Sequence, residues 1–395
     1  MKIYYFSVYI ALLIILFPTF SLSASNETVR IGVTLSLTGK FSVMGNDQKN
    51  GYKLWQNHIN SRGGLLGRKV EVLVYDDKSD PETAKAIYEQ MIINEKVDFL
   101  FGPYSSPITE AVLPLAEQHN HPLLIAGASA DSLWEKKYRT AIGVATPSSR
   151  FSQGFLELLV RNKINKIAIV HADDSFSVSL AKGVISWSGK LGLEVIMSES
   201  FKKDTRDLIH LAKKVRDSGA EALVVGGHLN EAVDMRKALK LIGYYPKAYY
   251  AVVGADLNEY IQILGNDANY TFSISIYEPN LNFPGIKKFH SDYIKTYKKM
   301  PSFYAARAYS AGQVLEESVK RSNSFDRKKV LNTFFKMDMI TILGRYGIDR
   351  TGKQIRHHVS IIQWQKGKKE IVWPEKLATA KPIFNIRRVK ITAGD

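Results

Sequence analysis

From residue 29 onward, apolar runs of strand length alternate with amphipathic stretches of helix length. Nothing else in this chain restricts its fold so strongly. Runs at 29–35, 69–75, 97–101 and 123–125 are separated by helical spacing over 47–59, 81–94 and 109–117. Strand-helix-strand alternation implies parallel strands joined by right-handed crossovers, and hence a doubly wound sheet. After Thr146 and Pro147 the alternation restarts. Strands are predicted at 166–171, 194–198, 222–227 and 248–253, and helices at 149–161, 179–191, 208–218 and 231–242. The repeat is one of architecture, without residue-by-residue similarity. Beyond it, 271–277 reads as a strand returning towards the first unit. Helices follow at 284–297, 304–321 and 330–336, and a hairpin runs over 359–365 and 370–373 around Lys366, Gly367 and Lys368. The expected class is α/β, with two doubly wound parallel-sheet lobes.

The stretch over 99–130 concentrates the functional signal. Its first strand breaks at Gly102 and Pro103, and Tyr104, Ser105, Ser106 and Pro107 lead into a helix. Its second strand ends in Ala126, Gly127, Ala128 and Ser129. Parallel strands bring both ends to one sheet edge, where open α/β sheets bind ligands. A helix start there offers free N–H groups to an anion. This edge reads as half of a site for a carboxylate or a similar acceptor. The stretch alone reads equally well as a helix cap followed by a turn.

Residues 1–24 read as a cleaved secretory signal. Lys2 is a minimal basic start, 3–20 is apolar, and Ser21, Leu22, Ser23 and Ala24 suit a cleavage site. The competing reading is a retained anchor. No later stretch is apolar enough to span a membrane. The net charge of +16 is scattered, with its densest clusters at 366–369 and 387–390. A generally cationic surface accounts for it better than a nucleic-acid site. The absence of cysteine excludes disulfides and thiolate metal sites.

Motifs for other chemistry are missing. The loop over 38–45 lacks the dinucleotide fingerprint, and no phosphate-binding loop occurs elsewhere, so no cofactor is expected. His119 with His121, and His357 with His358, lack chelating spacing, so no metal is expected. Asp76, Asp77, Asp173 and Asp174 sit at strand ends, where carboxylates more often cap a loop or helix than transfer protons. No nucleophile with a base is evident, and an enzyme is not expected.

The segments IGVTLSLTGKFSVMG (31–45), INSRGGLLGRKVEVLVYDDKSDPETA (59–84), FGPYSSP (101–107) and VWPEKLATAKP (372–382) resemble the periplasmic solute-binding proteins of ABC importers, branched-chain amino-acid-binding type. The resemblance runs from Val29 to about Phe384. It implies the type I periplasmic binding fold: two Rossmann-like lobes joined by a three-segment hinge, with the ligand cleft between them. Lobe one would comprise 28–146 plus 275–350, and lobe two 147–274 plus 351–384, leaving a basic tail at 385–395. The resemblance further implies an exported, monomeric periplasmic protein. Such a protein binds an amino acid or a related carboxylate or amide, and passes it to an ABC permease at the inner membrane. A ligand-sensing regulatory domain on the same fold is the alternative, and a nucleotide-dependent enzyme is disfavoured. In this family's pattern, Ser105, Ser106, Ala128 and Ser129 would hold the carboxylate, beside Tyr104 and Gly127. Met44 would pack on the ligand. In lobe two, Phe176 stands where a tyrosine is usual, and His228 follows the Gly226–Gly227 turn. Val253 occupies the place of the acidic ammonium partner, with Asp256 the nearest carboxylate.

Overall fold

The computed structural model describes residues 28–384. The expected signal at 1–24 and the basic tail at 385–395 lie outside the described residues.

The first sheet is built in chain order from β1 (Val29–Leu35), α1 (Ser42–Ser61), β2 (Val70–Asp76), α2 (Pro81–Ile93), β3 (Phe99–Phe101), α3 (Ser106–Gln118), β4 (Leu123–Ile125), the short α4 (Ser132–Glu135) and β5 (Ala141–Gly143). Its five strands are parallel in the order β2-β1-β3-β4-β5. Because helices cover both faces, β3, β4 and β5 are buried throughout, which explains their unbroken apolar sequences.

The second sheet takes α5 (Gln153–Arg161), β6 (Lys166–Ala172), α6 (Ser175–Leu191), β7 (Glu194–Phe201), α7 (Ile209–Asp217), β8 (Ala222–Gly226), α8 (Leu229–Leu241), β9 (Ala248–Ala251), α9 (Asn258–Leu264) and β10 (Thr271–Ser275). The chain then returns to the first unit through α10 (Ile286–Tyr297), α11 (Phe303–Ser322), α12 (Arg327–Phe334), β11 (Met339–Thr341) and β12 (Gly344–Tyr346). It ends in the second sheet with β13 (Ser360–Gln365) and β14 (Lys368–Trp373). The seven-stranded order is β14-β13-β10-β9-β8-β6-β7. β13 runs antiparallel to both β10 and β14.

Several local readings change, two of them near the site. The strand expected to travel back at 271–277 belongs to the second sheet. It pairs parallel with β9 and antiparallel with β13, so both sides of its backbone are hydrogen-bonded there. The crossing follows it. Helix α1 also starts at Ser42, earlier than apolar spacing suggested, because the loop after β1 ends at Phe41 and closes directly into the helix.

Helix α11 packs tightly on α1. A Cβ at Gly312 would come within 2.1 Å of the Trp55 ring, so only glycine allows this approach. This contact sets the height and rotation at which α11 presents its buried first turns to the space between the lobes.

Candidate functional site

The ends of β3 and β4 and the start of α11 form one wall of a small cavity between the lobes. Tyr104, Ser105 and Ser106 follow β3, and Gly127, Ala128 and Ser129 follow β4. Tyr304 and Arg307 come from α11. The facing wall belongs to the second lobe: Phe151 before α5, Phe176 in α6, His228 after β8 and Val253 after β9.

The serines divide their work. Ser105 is the N-cap of α3, its Oγ accepting from the Ile108 N–H at 3.3 Å. The Ser106 Oγ accepts from the backbone N–H groups of Ser129 at 3.2 Å and Ala130 at 3.1 Å, tying the two strand-end loops together. Its own proton stays free to donate. The Ser129 Oγ is buried with no hydrogen-bond partner among the described residues. A Cβ at Gly127 would sit 2.6 Å from the Tyr104 Cα, so the loops meet only because this residue is glycine.

Aromatic rings close the space across the lobes. The Tyr104 hydroxyl lies 3.2 Å from His228 Nδ1, and the Phe41 and Phe176 rings pack at 4.9 and 5.2 Å from the His228 ring. Burial lowers the His228 pKa, so the ring stands neutral at ordinary pH. Burial likewise raises the Tyr104 and Tyr304 hydroxyls far above their usual range, leaving both as neutral hydrogen-bonding groups. The lobes are held together at the rim. Lys40 reaches from the loop after β1 to Asp204 at 2.7 Å and Glu231 at 2.9 Å in the second lobe.

Among the described residues that line the cavity, Arg307 alone carries a formal charge. It is 2% exposed, and its Nε and Nη2 have no hydrogen-bond partner among the described residues. The guanidinium carbon lies 5.0 Å from the Phe303 ring and 5.7 Å from the Phe151 ring. Burial pulls its pKa down to about 10, and it remains a cation at neutral pH. The charge of Asp256 reaches it from behind the wall, but no described residue accepts from Nε or Nη2, and a buried cation left without an acceptor suits this wall to an anion.

Of the residues expected from sequence, Tyr104, Ser105, Ser106, Gly127, Ala128 and Ser129 come together with Phe176, His228 and Val253. Met44 and Asp256 do not join them. Met44 is buried on the face of α1 that also carries Gln48 and Tyr52, and it is not among the residues that line the cavity. Asp256 turns back on its own loop, where its Oδ1 accepts from the Gly254 N–H at 2.9 Å, and burial raises its pKa to about 7. Phe151, Tyr304 and Arg307 are the lining residues that sequence reading missed. The signal for Arg307 was available: it interrupts an apolar helix start, Phe303 to Ala311, with no acid three or four residues away on either side. The strand-end carboxylates are structural. Asp77 accepts from the Ser36 and Thr34 hydroxyls at 2.7 and 3.1 Å, and Asp174 caps α6.

Residues 28–369 match a family model described as periplasmic binding protein. The chain is 26% identical over 377 residues to Leu/Ile/Val-binding protein homolog 7 of Brucella abortus (strain 2308), covering 90% of this chain and 94% of that protein. It is similar in structure to the branched-chain amino acid transporter substrate-binding protein LivJ of Streptococcus pneumoniae, solved in complex with isoleucine. There the TM-score is 0.78 at 21% identity, over 88% of this chain and 100% of that one. It is also similar to an R. palustris solute-binding protein in complex with benzoate, with a TM-score of 0.76 at 16% identity over 91% and 98% of the two chains.

Proposed function

This chain belongs to the periplasmic binding protein family, and from that premise we propose that it is the exported solute-binding component of an ABC importer. It captures a small organic carboxylate, of the amino-acid class or a close relative, and hands it to a permease at the inner membrane. The observation that carries this reading is the cavity itself, which lies between the lobes and takes its walls from both. A ligand held there gains its contacts only when the lobes are together, so binding energy is spent on closure. The hinge lies where the chain passes between 28–146 plus 275–350 and 147–274 plus 351–384. Relatives named for leucine, isoleucine and valine, and neighbours holding isoleucine or benzoate, support a small carboxylate. No helix among the described residues is long and apolar enough to cross a membrane, which supports a protein that works outside the bilayer.

The test combines calorimetry with solution scattering on the secreted protein. The panel comprises aliphatic and aromatic amino acids, the corresponding acids and their amides. At least one should bind with a fall in the radius of gyration. If none binds and the radius never changes, the solute-binding reading is wrong.

A further inference from the structure

We infer that the solute is a carboxylic acid without an ammonium group, its carboxylate paired with the guanidinium of Arg307. This rests on the solute-binding reading above and names the class of solute for that cavity.

The charges on the wall decide it. The lining contains one cation and no carboxylate. Arg307 offers two buried donors, on Nε and Nη2, that no described residue accepts. Those two N–H groups share one side of the guanidinium plane, where a carboxylate docks in a bidentate manner. The flanking Phe303 and Phe151 rings hold that plane in place. Little side-chain freedom therefore remains to be lost on binding. The unpartnered Ser129 hydroxyl adds a further donor on the same wall.

An α-amino acid would satisfy Arg307 but bring an ammonium that needs an acceptor of its own. Asp256 is the nearest buried acid to be considered, and it lies outside the lining with its carboxyl turned to the Gly254 N–H. Glu231 is already paired with Lys40. The His228 ring already contacts the Tyr104 hydroxyl. A zwitterion would thus find only Asp256 for its ammonium, an acid outside the lining that burial keeps partly protonated at neutral pH, in a cavity that already holds a cation. A neutral amide fails differently, because it leaves the guanidinium charge uncompensated. The body of the acid is compact and apolar, since Phe151, Phe176 and Val253 face the wall that carries Arg307.

The experiment uses the full mature protein and three matched sets of probes: 4-methylpentanoate against leucine, 3-phenylpropanoate against phenylalanine, and benzoate against benzamide. Each is titrated by calorimetry into wild type, Arg307→Gln and Arg307→Lys. At least one acid should bind about tenfold or more tightly than its partner. Arg307→Gln should weaken that acid about 100-fold and erase the preference, and Arg307→Lys should restore part of it. The ligand-free Arg307→Gln protein should unfold at or above the wild-type temperature, because it loses a buried charge whose Nε and Nη2 no described residue accepts. That readout separates lost recognition from lost folding. Tighter binding of an amino acid or amide than of its matched acid overturns this inference and leaves the solute-binding reading standing. So does undiminished acid binding by a folded Arg307→Gln. Failure of every probe to bind wild type overturns both.

Discussion

Asp256→Asn should stabilise the ligand-free protein at neutral and alkaline pH and do nothing near pH 4. Asp256 is 6% exposed, and burial raises its pKa from 3.8 to about 7, more than the charges of Lys369 and Arg307 and the Gly254 N–H can offset. The folded chain therefore binds this proton more tightly than the unfolded chain. Its contribution to stability is greatest at low pH and is lost as pH rises from 3.8 to about 7. At ~1.4 kcal/mol per pH unit across that interval, the full loss is at most about 4 kcal/mol. Water entry into the loop reduces it, and about 2–4 kcal/mol is the expected gain for the variant. Asparagine keeps an oxygen where Oδ1 accepts from the Gly254 N–H, so the loop retains its turn. The assay is urea unfolding of both proteins, without solute, at several values from about pH 4 to about pH 8. His121 and His357, which burial lowers to about 4 and about 3, titrate alike in both proteins and cancel in the difference. A difference that stays flat with pH would refute the reasoning.

Ser106→Ala should cost ~1–3 kcal/mol of stability, because the Ser129 and Ala130 N–H groups lose their buried acceptor. Ser129→Ala removes a hydroxyl without a partner, so its unfolding should stay within about 0.5 kcal/mol of wild type while solute binding weakens. Equal unfolding of the two variants by urea would contradict that division of roles. Lys40→Met should favour the open form by ~1–3 kcal/mol, since it leaves the buried Glu231 carboxylate without its cation. An unchanged radius of gyration in ligand-free scattering, and an unchanged solute dissociation rate, would show that the rim pair holds nothing.

The wall made by β3 and β4 was legible because everything that forms it is local. Two parallel strands must end on one edge, and Ser105, Ser106 and Ser129 stand within a few residues of those ends. The lobe-two positions Phe176, His228 and Val253 came from the family resemblance, and each lies just beyond a strand. Residues such as Met44 and Asp256 depend on where a turn closes. The family resemblance puts Met44 at the ligand, whereas in the structure it lies buried in the first turn of α1, outside the cavity lining. The positive φ of Gly254, 86°, bends the next loop so that Asp256 faces its own backbone.

Arg307 was hidden for a different reason, and it changes what the site can be. It arrives from a helix far along the chain, and its inward aim depends on the fit of Gly312 against Trp55. An arginine on a helix ordinarily faces water, where it has no bearing on ligand choice. Turned inward and left without a partner, it puts a fixed positive charge on a wall otherwise built from hydroxyls and rings. Strand-end serines alone accept any carboxylate, zwitterionic or not. On the inference drawn above, the buried guanidinium adds the selection, because its desolvation is best repaid by a ligand whose net charge is negative.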